Sequence, residues 1–216
     1  MAETEQPQIY LITPSEIELS RFPRLLAECL DTVPVACLRL ALSTSDEAKL
    51  ARAADACREV AHGRDVAIVI ERHVQMVERL GLDGVHLKDG ARSVRKVRKA
   101  LGRDAIVGTD CGVSRHDGMT AAEADADYVS FGPIGETGLG DGETAPLDLF
   151  AWWSELIEVP VVAEGALTEE RLGALAAQVD FFGIGAEIWG AESPAARLKE
   201  LAEVMARGAT APAHVA

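Results

Sequence analysis

Short apolar runs alternate along this chain with longer stretches whose apolar positions recur at helical spacing. The runs cover residues 9–13, 35–40, 66–70, 84–87, 106–109, 128–131, 161–163 and 181–184. They are continuously apolar rather than alternating, as expected of parallel strands covered on both faces. Helical periodicity marks residues 45–62, 74–80, 94–101, 119–124, 147–157, 169–177 and 195–206. In the clearest, Ala48, Ala51, Ala54 and Val60 lie near one face, and Ser45 or Asp46 is placed to cap it. Residues 15–30 read as a helix that starts or bends at Pro23.

Eight strand–helix units in 216 residues predict an α/β fold, a single-domain (β/α)8 TIM barrel. An open doubly wound sheet is the competing architecture, and it usually takes fewer strands. No linker or composition shift interrupts the repeat. The domain is therefore expected over residues 9–207, between a flexible N-terminus (1–8) and a flexible Ala-, Pro- and Gly-rich tail (208–216).

Composition narrows the function. With 48% hydrophobic and 26% charged residues, the chain has material for a full core. A formal net charge of −14 argues against a nucleic-acid partner. It leaves room for a small anion, because backbone N–H groups hold phosphate even in acidic proteins. The start of the chain lacks the basic and apolar regions of a signal peptide, and no run approaches the ~18 apolar residues of a membrane span. Cys29, Cys37, Cys57 and Cys111 form no CxxC pair and read as free thiols, so a cytoplasmic location is expected.

In a barrel of this kind, chemistry gathers where the strands end. Arg39 closes an apolar strand, where a charge is costly unless paired. Either it contacts a ligand or it pairs with Glu71 or Glu164. Glu164 follows another buried strand directly and is a candidate acid/base or the partner of Arg39. His86, in Gly84-Val-His-Leu87, is either a catalyst or a hydrogen-bonded residue of the mouth. Glu71, Asp89 and Asp110 offer oxygen ligands of the kind Mg²⁺ takes, or else an acidic rim. The turns at Gly165-Ala166 and Gly185-Ala186, after strands seven and eight, are where such barrels build a phosphate cup from backbone N–H groups. Trp152 and Trp153 read as packing residues. Asp127-Tyr-Val-Ser-Phe-Gly-Pro-Ile134 is a buried strand that runs through Gly132 into a glycine-rich loop at 135–142.

That segment, together with Tyr10-Leu-Ile-Thr13, Gly84-Val-His-Leu87 and Val159-Pro-Val-Val-Ala163 with Gly165, resembles the thiamine phosphate synthase and TenI-like thiazole tautomerase family from about residue 9 to residue 189. The resemblance implies a TIM barrel, a homodimer, and joining of a pyrimidine pyrophosphate to a thiazole phosphate with Mg²⁺. It also implies substrate or phosphate contacts at Arg39, Thr137, Gly165, Ala166 and Ala186, with Gly132 and Gly185 beside them, and a metal at Glu71 with Asp89 standing in for the family's Asp; the strand ends themselves offer Arg39, Glu164 and His86 as the catalytic candidates.

The chain departs from the family at several of these positions. Of a Gln-x-Arg-x-Lys motif on the second strand, Arg39 remains within Cys37-Leu-Arg-Leu-Ala41. The Asn-Asp pair after the third strand falls on Ile70 and Glu71, and a metal-binding Asp falls on Ala91, near Asp89. A Ser after the fifth strand is Asp110, and the Ser after the eighth is Ala186. The loop's Thr-Pro-Thr-Lys reads Thr137-Gly-Leu-Gly140, and the Gly-Gly turn reads Gly165-Ala166. The tautomerase branch shares Glu136-Thr137, but its catalytic His is Pro133 here. Two further functions therefore stand beside the synthase: a ligand-binding or regulatory barrel without turnover, and a tautomerase or isomerase.

Overall fold

The structure, a computed structural model, describes residues 6–137 and 142–210. Eight strands close a parallel barrel in chain order, each hydrogen-bonded to the next and the last to the first. They are β1 (Gln8–Ile12), β2 (Val35–Leu40), β3 (Ala67–Glu71), β4 (Gly84–Leu87), β5 (Ile106–Asp110), β6 (Tyr128–Phe131), β7 (Val161–Glu164) and β8 (Phe181–Ile184). The helices are α1 (Phe22–Thr32), α2 (Glu47–His62), α3 (Val74–Leu80), α4 (Val94–Leu101), α5 (Arg115–Glu123), α6 (Leu147–Leu156), α7 (Glu169–Leu175), α8 (Ala186–Trp189) and α9 (Pro194–Thr210). The TIM barrel read from the sequence is thus the observed fold, and the open sheet is not.

Local signals explain most boundaries. Pro23 lies in the first turn of α1, where its missing N–H costs nothing. The Asp46 carboxylate accepts N–H groups from Ala48 and Lys49 and so starts α2. Ser114 caps α5 by accepting from the Asp117 N–H, which begins that helix at Arg115 rather than at 119. One short helix, α8, was not expected from the pattern, and α9 continues past residue 207 to Thr210.

Period-2 alternation sorts the strand residues between two cores. Outward residues such as Leu38, Ile68, Val129 and Phe182 are buried beneath the helices. Inward residues Tyr10, Cys37, Val69, Tyr128 and Val162 fill the barrel itself. The Tyr128 ring fits because position 108 is glycine: a Cβ there would lie 1.9 Å from the ring.

At the opposite end from the strand termini that carry the site, three aspartates pin the register. Asp83, Asp127 and Asp180 each immediately precede an even-numbered strand, and each accepts the N–H of Ile68, Val107 or Val161 on the preceding odd strand, at 2.7, 2.6 and 2.7 Å. Asp127, which opens the most family-like segment of the chain, is therefore a structural residue. Trp153 is buried and donates its indole N–H to the Val159 carbonyl at 2.7 Å, which confirms it as packing. Trp152 is also a packing residue, lying under the Arg115 guanidinium 5.0 Å from its ring centre.

Candidate active site

A cavity of about 730 Å³ opens at the C-terminal ends of the strands. Arg39 and Glu164 form its floor, Gly132, Pro133 and Thr137 one wall, and the turns after β7 and β8 another. Of the predicted site residues, it brings together Arg39, Glu164, Gly132, Thr137, Gly165, Ala166, Gly185 and Ala186. His86 lies beneath them, fully buried. Glu71 and Asp89 do not line this cavity, and Asp89 lines a neighbouring groove instead. The loop at 135–142 is described through Thr137 and again from Gly142, so Gly138 to Asp141, including the position of the family's lysine, lie outside the described residues.

Both open readings of Arg39 bear on its geometry. Its Nη2 donates to Glu164 Oε2 at 2.6 Å, and its Nε lies 3.9 Å from Glu71 Oε2, so it pairs with both acids named from the sequence. The pair with Glu164 is nearly buried on both sides. Burial, the largest effect, would by itself lower the Arg39 pKa, but Glu164 together with the two tyrosines below outweighs it, and the guanidinium is held charged. The second oxygen of Glu164 accepts from Ser130 Oγ at 3.1 Å. Among the described residues, Arg39 Nε is buried without a hydrogen-bond partner.

Arg39 also dictates the state of His86. A guanidinium has only donors, so its Nη1, 2.8 Å from His86 Nε2, makes that nitrogen an acceptor. The proton therefore sits on Nδ1, which donates to Tyr128 Oη at 2.9 Å, and Tyr128 in turn bonds the Tyr10 hydroxyl. Burial, followed by the charges of Arg39, Lys88 and Arg72, drives the His86 pKa well below the usual imidazole value. Burial likewise raises both tyrosines well above theirs. The result is a neutral, hydrogen-bonded column inside the barrel, topped by the Arg39 charge with Glu164 and, farther off, Glu71. The alternation of the strands was the available signal for Tyr10, Tyr128 and Ser130: each sits two residues from a neighbouring inward position.

Each cation on the mouth cavity meets an acid. Besides Arg39 with Glu164, Lys88 Nζ lies 2.6 Å from Asp110 Oδ2. The turns after β7 and β8 hold a further acid that sequence reasoning passed over. Glu187 accepts N–H groups from Leu167 at 3.1 Å and Gly185 at 2.9 Å, tying the two turns together. An acid two residues past a strand-end glycine, at the start of a helix, is the pattern that signals such a clamp. Gly165 and Ala166 both adopt left-handed backbone, with φ of 85° and 55°.

The carboxylates expected to hold a metal are engaged elsewhere. Glu71 pairs with Arg39 and, at 3.2 Å, with Arg72. Asp89 accepts from Ser93 Oγ at 2.6 Å. Among the described residues, no three His, Cys, Asp or Glu side chains gather as a metal would need. These residues do not fit a resident Mg²⁺ ion. The four cysteines are free and buried, and burial pushes the Cys37 thiol up to about 12, so it is no nucleophile.

A barrel with a deep mouth at its strand ends, closed by glycine-rich turns after β7 and β8, defines a (β/α)8 protein built to hold a small ligand. Residues 9–188 match the family described as thiamine monophosphate synthase, and the chain belongs to that family. A thiamine-phosphate synthase of Rhodospirillum centenum is 37% identical over 92% of this chain and 97% of its own. One of Erythrobacter litoralis is 36% identical over 91% and 95%. Among solved structures, a thiamine phosphate pyrophosphorylase from Pyrococcus furiosus shares the fold, with a TM-score of 0.79 and 20% identity over 93% of this chain and 96% of that one. No described helix is long and apolar enough to cross a membrane.

Proposed function

We propose that this protein is a thiamine-phosphate synthase, joining a pyrimidine pyrophosphate to a thiazole phosphate and releasing pyrophosphate. The observation that carries this is the mouth cavity, built at the strand ends from the residues the family uses: Arg39, Gly132, Thr137 and the two turns. The reaction needs the two substrates held in register more than it needs a nucleophile on the protein, and positioning by itself is worth many orders of magnitude. In this reading the backbone N–H groups at Gly165, Ala166 and Ala186 face the thiazole phosphate, while Gly185, whose N–H goes to Glu187, shapes the second turn. Arg39 and Glu164 contact substrate from the floor, and His86 is a positioning residue that fixes Arg39 from below. Magnesium, expected from the family, would arrive on the substrate's pyrophosphate oxygens and not as a resident ion. The homodimer and a cytoplasmic location belong to the same proposal.

A second reading, ligand binding without turnover, is favoured by one observation. Both cations on the mouth, Arg39 and Lys88, are already neutralised by acids. One experiment decides between them: purified protein is given both substrates and Mg²⁺, and thiamine phosphate and pyrophosphate are measured. Equal amounts of both, at rates at least about 10³-fold above the uncatalysed reaction, support the synthase. Folded protein that binds a substrate and yields no product selects the second reading.

A further inference from the structure

Between Gly90 and Arg103 an acidic chain turns basic. That stretch holds six Lys or Arg and no Asp or Glu, in a protein of net charge −14. One of the six, Arg98, is structural: it donates to the Asp125, Gly102 and Ala105 carbonyls and pairs with Asp127. The other five, Arg92, Arg95, Lys96, Lys99 and Arg103, are exposed and make no ion pair or side-chain hydrogen bond among the described residues. Helical spacing sets Arg95, Lys96 and Lys99 on the outer face of α4, opposite the buried Val94 and Val97. Arg92 just before the helix and Arg103 just after it extend the stripe at either end.

The stripe works against its own helix. Like charges three and four residues apart repel, as Lys96 with Lys99 and Arg95 with Lys99 do here. Elsewhere on the surface arginines meet acids: Arg64 with Asp31, Arg79 with Glu47, Arg115 with Asp148. On α4 no such complement is supplied among the described residues.

Along the α3 side of the stripe runs a groove of about 580 Å³ with an apolar floor of Val74, Leu87, Val97 and Ala100. Lys96 lines its edge, so groove and stripe adjoin. The other cations of the groove, Arg72 and Lys88, are already paired with Glu71 and Asp110 and are not part of the stripe.

We infer that this face docks an acidic segment of a partner protein, with carboxylates along the α4 stripe and an apolar side chain in the groove. Charge complementarity calls for an anionic partner. The groove selects a polypeptide among anions, because a nucleic-acid duplex or an anionic membrane surface matches the charges and brings no apolar side chain to fill it. The face lies outside the mouth cavity, so the inference stands apart from the synthase reading.

The test is fluorescence anisotropy at low ionic strength with a labelled glutamate–leucine copolymer, poly-glutamate of the same length and a DNA duplex, beside co-sedimentation with phosphatidylserine vesicles. The wild type should bind the copolymer about tenfold more tightly than poly-glutamate, the gain expected from burying a leucine side chain. Arg95→Glu/Lys96→Glu/Lys99→Glu should weaken copolymer binding at least about tenfold. Lys49→Glu/Arg52→Glu/Lys199→Glu, an equal change of net charge at exposed positions elsewhere, should alter it less than about twofold. Ala100→Trp, which fills the groove from an exposed position, should remove the copolymer's advantage and leave poly-glutamate binding unchanged. No binding, equal losses in the two triple variants, equal affinity for the two polymers, or tighter binding of DNA or vesicles than of the copolymer overturns the inference. So does self-association of the protein that the α4 triple variant abolishes.

Discussion

Arg39 on β2 and Glu164 on β7 reach across the barrel to form a buried ion pair at 2.6 Å on top of an otherwise neutral interior column. Such a pair is weak support for stability as a pair, yet costly to halve, because the remaining charge is left buried and alone. Arg39→Met is therefore expected to cost about 3–5 kcal/mol, and Glu164→Gln less, because an amide oxygen still accepts from the guanidinium. The double variant Arg39→Met/Glu164→Leu should recover much of the loss. Urea unfolding of the wild type, Arg39→Met, Glu164→Leu and the double variant, read as a double-mutant cycle, checks this, and strictly additive losses would contradict it.

His86 makes stability depend on pH with a defined sign. Its pKa in the fold lies well below the unfolded value of about 6.5, so the unfolded chain takes up a proton first as pH falls. The stabilising contribution is complete above about pH 6.5 and is lost as pH drops below it toward the depressed value, at up to about 1.4 kcal/mol per pH unit. Unfolding midpoints at pH 7.5, 6.5 and 5.5 should fall in that order. The fall should be shallower in His86→Gln, and an equal slope in both proteins would contradict the assigned neutral state.

Glu187 places a carboxylate against the N–H groups of Leu167 and Gly185, at the end of the mouth where phosphate is proposed to bind. Glu187→Gln keeps one of the clamp's two acceptor oxygens and removes its charge. Inorganic phosphate should bind this variant more tightly than wild type, by roughly tenfold for about 1.4 kcal/mol of relieved repulsion. Glu187→Ala should lose about 2 kcal/mol of stability with the two charge-assisted bonds. Unchanged phosphate affinity in Glu187→Gln would place the anion away from these turns.

Gly108 is required by the tyrosine opposite it. Gly108→Ala puts a methyl 1.9 Å from the Tyr128 ring, so the ring must move and break its bonds to His86 and Tyr10. A loss of about 3 kcal/mol is expected, and Gly108→Ala/Tyr128→Phe should recover none of the steric part. Thermal unfolding of the two variants reads this directly.

The barrel was legible because its signals are local and repeated. Each strand is a short apolar run bounded by turn residues, and eight of them leave few alternatives. The partners of Arg39 were legible for a related reason, since a charge at a buried strand end demands an opposite charge at the same height. Tyr10 and Tyr128 escaped notice because a tyrosine in an apolar run reads as core until its hydroxyl is seen to have a partner. Glu187 was hidden in a four-residue helix too short to show periodicity. The basic cluster on α4 was masked by the overall charge of −14, a sum that says nothing about distribution.

The most direct measurement of the central claim is the rate of thiamine phosphate formation by the wild-type protein beside Ala186→Asp, which sets a new carboxylate at the exposed turn after β8, on the wall of the mouth. The synthase assignment predicts product from the wild type and a loss of at least about 10²-fold in the variant, whose added charge opposes the thiazole phosphate. No product from folded wild-type protein, or equal rates from both, would contradict it.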